Sequence, residues 1–334
     1  MSKSKNVSNM RHTADARKSI FRTSSEPKGA HVKGYDYSGK FDLQKFLDAY
    51  GTTGLQATQL KQAIDIAKQM RKEKVTIFLG YTSNMISSGI REAILHLVKN
   101  KMVHVIVTTA GGIEEDLIKC LKPFIIGEFK GGKDLRNKGI NRIGNILVPN
   151  DRYIEFEKHV TPVLQQLNEK QKKTGRIINA SEFIRALAEN IADETSVLYW
   201  ALKNNIPVIC PAITDGSIGD MLFFFKSENP EFKVDVTDDL LLMNNIVLDA
   251  KETGAIILGG SVPKHHIMNA NMMREGTKYS IYINTASEVD GSDSGAPPEE
   301  AESWGKNSAR GAAVKVKGDA SIIFPLLVLG AFQK

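Results

Sequence analysis

The chain has 334 residues, 42% of them hydrophobic and 25% charged, enough for one large α/β domain or two smaller ones and ordinary for a globular protein. No apolar run reaches the ~18 residues that span a bilayer, and the two cysteines, Cys120 and Cys210, lie in apolar stretches with no CxxC pair, which argues for free thiols in a reducing compartment such as the cytoplasm and against a disulfide framework or structural zinc. The net charge of +6 is accounted for by residues 1–33, which carry eight Lys/Arg against two Asp/Glu, so the excess marks a basic terminal arm rather than a nucleic-acid-binding face.

In chain order, residues 1–33 are expected to form a flexible basic arm with a short helix around Ala14–Phe21, and they lack the apolar core of a secretory signal. Residues 34–334 read as a single α/β domain. Apolar residues three and four apart make Phe41–Tyr50 and Leu60–Met70 helical. After Lys74 the chain alternates. Val75–Gly80 is a buried-strand run, Ser88–Asn100 an amphipathic helix, Met102–Ala110 a second strand and Ile113–Leu121 a second helix. Further strands follow at Ile206–Ile213, Gly254–Gly260 and Tyr279–Ala286. Helices are expected within Phe156–Leu167, Ser181–Ile191, Ser196–Asn205, Asp238–Glu252 and His265–Met273. Continuous β-rich runs separated by helices predict a Rossmann-like parallel sheet with helices on both faces. The least regular stretches are 127–145 and 287–305.

In such a sheet, ligands bind beyond the carboxyl ends of the strands. The residues there are small and polar: Tyr81–Asn84, Thr108–Gly112, Thr214–Ser217, Gly259–Ser261 and Asn284–Ser287. Small residues let a ligand approach the backbone, and free N–H groups at the following helix starts favour phosphate. The usual GxGxxG fingerprint is absent, so a nucleotide here is held differently. Gly127–Lys133 fits GxxxxGK, but Asp134 stands where Ser or Thr should bind magnesium, and no clear strand leads into it. His265 and His266 are neighbours that point different ways on a helix and cannot form one metal face. No metal site is expected. One of the pair in an active site is a live alternative to a surface or core role.

Between Ser287 and Gly305 lie Glu288, Asp290, Asp293, Glu299, Glu300 and Glu302 with no Lys or Arg, and Trp304-Gly305-Lys306 follows. This is either a solvated acidic loop or a pocket for a polycation with a lysine at its edge. A lysine attacks only when neutral, and at an ordinary pKa of ~10.4 about one molecule in 2,500 is neutral at pH 7. Desolvation against Trp304 favours the neutral form and the carboxylates oppose it.

Several long strings then become recognisable: FLGYTSNMISSGIREAI, TTAGGIEEDLIKCLKP, GINRIGNILVPN, PAITDGSIGDM, PKHHIMNANMMREG, YINTASEVDGSDSGAPPEEAESWGK and GDASIIFPLL. From about Gly34 to the C-terminus the chain resembles the deoxyhypusine synthase family. The resemblance implies an NAD-dependent transferase that moves the 4-aminobutyl group of spermidine to one lysine of translation initiation factor 5A, releasing 1,3-diaminopropane. The lysine of SWGK, here Lys306, would form the covalent imine, and His265 would assist proton transfer. NAD would be held by Ser83, Asn84, Met85, Ile86 and Ser87, by Thr109, Ala110, Gly111 and Glu115, and by Asp215, Gly260, Thr285, Ala286, Asp319 and Ala320. Spermidine would meet Glu114, Glu115, Asp220 and His265 on one side, and Gly291, Ser292, Asp293, Glu300 and Trp304 on the other. The family is a homotetramer with sites between paired subunits, and an N-terminal segment can plug a neighbour's entrance. No nucleic-acid or membrane partner is implied. Ser261 replaces a frequent third glycine, and the short stretch between Ala63 and Val75 resembles archaeal-type members. Homospermidine synthase, which passes the same group to putrescine, shares these motifs. A non-catalytic polyamine- or NAD-binding scaffold is the alternative from outside enzymology.

Overall fold

A computed structural model describes residues 2–333. The chain divides into two units, at Lys33/Gly34. The first contains a helix over Ser2–Ile20, considerably longer than the predicted Ala14–Phe21, followed by irregular chain.

The second unit is an α/β domain. Its strands in chain order are β1 (Thr76–Tyr81), β2 (Val105–Thr108), β3 (Ile125–Ile126), β4 (Ile140–Ile143), β5 (Ile146–Pro149), β6 (Ile178–Asn179), β7 (Val208–Ile209), β8 (Val234–Asp235), β9 (Thr253–Leu258), β10 (Thr277–Asn284) and β11 (Asn307–Lys317). Six of them form the main sheet in the order β11-β10-β9-β1-β2-β7, and every neighbouring pair is parallel. Parallel strands need covered crossovers, and the runs Thr76–Tyr81 and Thr253–Leu258 are apolar on both sides because both faces of the sheet are buried. Leu79 stands beside Ile256, and Phe78 beside Val105 and Ala255.

Alternation along each strand sends side chains to two cores. Ile77, Leu79, Ile256, Ile281 and Ile283 join one cluster with Ala63, Ile64 and Ala67 of the helix Leu55–Glu73, and with Phe324 and Leu327 of the helix Ala320–Ala331. Phe78, Ala255, Ile257 and Tyr282 face the other cluster, closed by Met243 and Val247 of the helix Thr237–Asp249 and by Ile267 and Met268 of the helix Ser261–Met272. Each such aliphatic side chain contributes roughly 1.5–3 kcal/mol on full burial.

Counting only the six sheet strands in chain order, the sheet runs 3-2-1-4-5-6. The order reverses between β1 and β9, the point at which open α/β sheets bind ligands beyond the carboxyl ends of their strands. This is a Rossmann-like order without the glycine fingerprint. Residues 127–145 are less irregular than expected. They contribute to a small antiparallel sheet β3-β5-β4. A two-residue strand therefore does lead into Gly127, but it belongs to this antiparallel sheet, and only a five-residue helix, Lys133–Asn137, follows. Among the described residues no helix is long and apolar enough to cross a membrane. Cys120 and Cys210 are free thiols, raised by burial to about 11 and about 12.

Candidate active site

Three helices of twelve residues follow β2, β7 and β9: Ala110–Leu121, Ser217–Glu228 and Ser261–Met272. None is capped by the side chain of its own N-cap residue. Two of the starts are nonetheless engaged, since Ile218 N donates to Glu114 Oε2 and Ser261 N to Ser294 Oγ, each at 2.7 Å; among the described residues the first N–H groups of Ala110–Leu121 have no such side-chain acceptor, and that start is the one open to an anion. Close approach is built in. A Cβ on Gly111 would lie 2.5 Å from the Ser83 Cβ, and one on Gly259, whose φ is +84°, would lie 2.7 Å from Thr82 Oγ1. Only glycine permits these junctions to meet. Thr109 Oγ1 and Asn284 Nδ2 are buried and lack a hydrogen-bond partner. Buried polar atoms are normally satisfied, so an orphan at the carboxyl end of β2 and another at that of β10 point to a ligand along this edge of the sheet. The set fits a dinucleotide.

The predicted cofactor residues lie beyond the carboxyl ends of the sheet strands, in different settings. Ser83 and Asn84 lie just past β1, and Thr82 Oγ1 donates to Asn84 Oδ1 at 2.6 Å. Met85 and Ile86 are buried in the core, and their backbone is engaged as well, Met85 N donating to Thr82 O at 3.1 Å and Ile86 O accepting from Lys119 Nζ at 2.9 Å, so neither is free to meet a ligand. Ser87 donates to Glu115. Ala110 is fully buried and Asp215 is exposed. Gly260 packs against Ser294. Thr285 and Ala286 follow β10, and the Ala286 N–H donates to Asn284 Oδ1 at 3.1 Å. Asp319 caps Ala320–Ala331 through Ser321 N at 2.8 Å, next to the Gly318 N–H that donates to Asn284 O.

Glu114 and Glu115 form an acidic pair on Ala110–Leu121. Both are buried. Glu114 Oε2 accepts from Ile218 N at 2.7 Å, and burial, with Asp220 and Asp215 nearby, raises its carboxyl despite that bond. Burial pushes Glu115 up to about 8, against the Ser87 hydrogen bond and with help from Glu114. The helix bearing them is pinned by Asp116, fully buried. Arg91 Nε donates to its Oδ1 at 2.7 Å, Ser196 Oγ to its Oδ2 at 2.6 Å, and the Val197 and Leu198 N–H groups also reach it.

A cleft of about 160 Å³ lies at the other end of the predicted set. It is lined by Gly291, Asp293, Glu300, Trp304 and Lys306, together with Lys264, Met268, Ala296 and Ala301. Lys306 is 9% exposed, and its Nζ stands 5.6 Å from the centre of the Trp304 ring. Among the described residues nothing hydrogen-bonds or ion-pairs with that amine. Its backbone is held firmly: Lys306 N donates to Ala301 O at 2.8 Å and Thr277 N to Lys306 O at 3.0 Å. The adjoining Asn307 is locked among Thr277, Ser280 and Pro298. Asp293 Oδ2 is buried without a partner. Gly291, in the left-handed region at φ +70°, turns the chain after a 3-10 turn at Glu288–Asp290, and Ser292 is exposed beside it.

Within one chain, the Lys306 cleft is not lined by Glu114, Glu115, Asp220 or His265. His265 is exposed on Ser261–Met272 and His266 is half-buried, with burial lowering His266 to about 4. Four cleft residues were not expected from the sequence, Met268, Ala296, Ala301 and the charged one, Lys264, 2% exposed. Helical spacing held the signal, because Lys264 shares the inward stripe of Ile267, Met268 and Asn271.

The deoxyhypusine synthase sequence profile matches residues 45–331. The chain belongs to the deoxyhypusine synthase family. A relative of that name from Methanocaldococcus jannaschii is 51% identical over 92% of this chain and 98% of its own. The deoxyhypusine synthase family therefore supplies an enzyme class, aminobutyl transfer. A Senecio vernalis protein named homospermidine synthase 2 is 48% identical over 97% of this chain and 96% of its own. The solved structure of an Entamoeba histolytica chain that carries the deoxyhypusine synthase name superposes with a TM-score of 0.68 at 33% identity, covering 90% of this chain and 96% of that one.

Proposed function

We propose that this chain is an NAD-dependent deoxyhypusine synthase that transfers the 4-aminobutyl group of spermidine to a specific lysine of translation initiation factor 5A through an imine on Lys306. The observation that carries the reading is the Lys306 amine, nearly buried and without a hydrogen-bond partner, in a cleft with Asp293, Glu300 and Trp304. A trication needs carboxylates to hold its terminal ammoniums and a position where its central amine can react. Asp293 and Glu300 provide the former. The open helix start after β2, with Gly111, Thr109 and Asn284, would hold the dinucleotide. NAD, when bound, takes up and returns the hydride that oxidation of the polyamine and final reduction require.

Lys306 performs the transfer. Its neutral amine attacks the oxidised carbon of spermidine, 1,3-diaminopropane leaves with the C–N electron pair and a proton, and the aminobutyl chain remains as an imine on Nζ. The acceptor lysine then repeats the exchange and frees Lys306. Glu115, whose carboxyl burial pushes up to about 8, or His265, is suited to proton transfer. Since Glu114, Glu115, Asp220 and His265 lie outside the Lys306 cleft of their own chain, a second subunit would bring them to it. Exposed Phe223 and Phe224 on Ser217–Glu228, and Leu240, Leu241 and Leu248 on Thr237–Asp249, support assembly through apolar faces, consistent with a homotetramer acting in the cytoplasm.

The Senecio relative favours one second reading, transfer to putrescine. Spermidine labelled in its aminobutyl group, incubated with enzyme, NAD and either acceptor, separates the two. Label in the translation factor supports the proposal, whereas label only in homospermidine overturns it.

A further inference from the structure

The acidic loop that carries Asp293 is fastened at four successive residues, and lysines make three of the bonds. Lys264 donates to the backbone oxygen of Asp293 and, at 3.1 Å, to that of Ala296. Lys315 on β11 donates to the backbone oxygen of Gly295, and Ser294 Oγ accepts from Ser261 N at 2.7 Å. Loops are ordinarily mobile, and burying an ammonium is costly unless its protons are all satisfied. Lys264 is nonetheless buried, with its Nζ 4.7 Å from the centre of the Tyr282 ring, and burial lowers its pKa. Among the described residues it makes no ion pair. The cation is spent on carbonyls, and the neighbouring Asp293 carboxylate keeps a buried oxygen without a partner.

We infer that Lys264 is a positioning residue for the polyamine: by anchoring the Asp293 and Ala296 carbonyls it fixes the Asp293 carboxylate, unneutralised, where a substrate ammonium enters the Lys306 cleft. The inference rests on the polyamine reading above. An arginine or lysine placed only to stabilise the fold would take the carboxylate itself. Here the carboxylate is left for something else.

Lys264→Met keeps the volume of the side chain and removes both anchoring bonds, and Lys264→Arg keeps charge and donors. In the full-length enzyme, Lys264→Met is expected to speed amide exchange across 287–297 but not across Ala110–Leu121. It should raise the spermidine KM roughly tenfold or more while kcat stays within about threefold and NAD affinity is unchanged. Lys264→Arg should return KM toward the wild-type value. Adding Lys264→Met to Asp293→Ala should change KM little further, because the anchor acts through that carboxylate. An unmoved KM, a collapse of kcat at constant KM, or full additivity with Asp293→Ala overturns the inference. A wild-type enzyme with no saturable dependence on spermidine sinks the polyamine reading itself, and this inference with it. If Lys264→Met does not fold, Lys315→Met, which removes the Gly295 anchor, must show the same KM-only effect in milder form, and its absence counts against the proposal.

Discussion

Replacing Glu115 by glutamine isolates a proton that the fold is built to retain. The side chain is 6% exposed, and burial lifts its pKa from an ordinary 4.5 to about 8. In the unfolded chain the carboxyl ionises near its ordinary value. Between these two limits the unfolded state has released the proton and the folded state has not, so stability falls by about 1.36 kcal/mol per pH unit. Across the window the ceiling is on the order of 4–5 kcal/mol, reduced by whatever relaxation lets water reach the carboxylate. Below the window both states are protonated, and above it both are ionised, so the whole loss has accrued by about pH 8. Glutamine keeps an acceptor for Ser87 and does not titrate. The stability of Glu115→Gln relative to wild type should therefore climb steadily from pH 5 to pH 8 and level off above. Urea unfolding at one fixed protein concentration measures this. A gap between the two proteins that does not vary with pH would show that Glu115 ionises normally in the folded state and would remove it as a proton donor at neutral pH.

Three further outcomes follow from the geometry. Lys306→Ala should abolish aminobutyl transfer while NAD titration by calorimetry gives the wild-type affinity, because no predicted cofactor residue depends on that side chain. Gly111→Ala places a methyl 2.5 Å from the Ser83 Cβ and should force those junctions apart, lowering NAD affinity about ten- to a hundredfold. Gly132→Ala, with nothing within 4 Å, should leave it unchanged in the same titration. Asp116→Ala strands the buried Arg91 guanidinium and should lower unfolding free energy by about 3–5 kcal/mol in urea, part of which Arg91→Met in the same chain should restore.

The parallel sheet was legible because Val75–Gly80 and Gly254–Gly260 are continuous apolar runs, which half-exposed strands do not show. Its order was not, since nothing local in Thr253–Leu258 records that β1 will be its partner. β11 escaped detection: NSARGAAVKVK alternates only over its last few residues and owes its strand conformation to pairing with β10. The three short strands β3, β4 and β5 lie among glycines and lysines that read as loop. At the site, the small residues after each strand were visible as a pattern, and structure adds why two of them are glycine, namely the approach of Gly111 to Ser83 and of Gly259 to Thr82. The acidic stretch 287–305 left two readings open. Folding brings Asp293 and Glu300 to one cleft with Lys306 and leaves Glu288, Asp290, Glu299 and Glu302 outside it and exposed, so both readings describe part of it. Lys264 was hidden because a lysine on a helix reads as solvated until the burial of its neighbours Pro263 and Ile267 is known.

Borohydride reduction during turnover tests the central claim most directly. With saturating spermidine and NAD and no acceptor, peptide mass spectrometry should find a 4-aminobutyl group on Lys306 and on no other lysine, and none when either spermidine or NAD is withheld. Full diaminopropane release with Lys306 unmodified after reduction would contradict the covalent route.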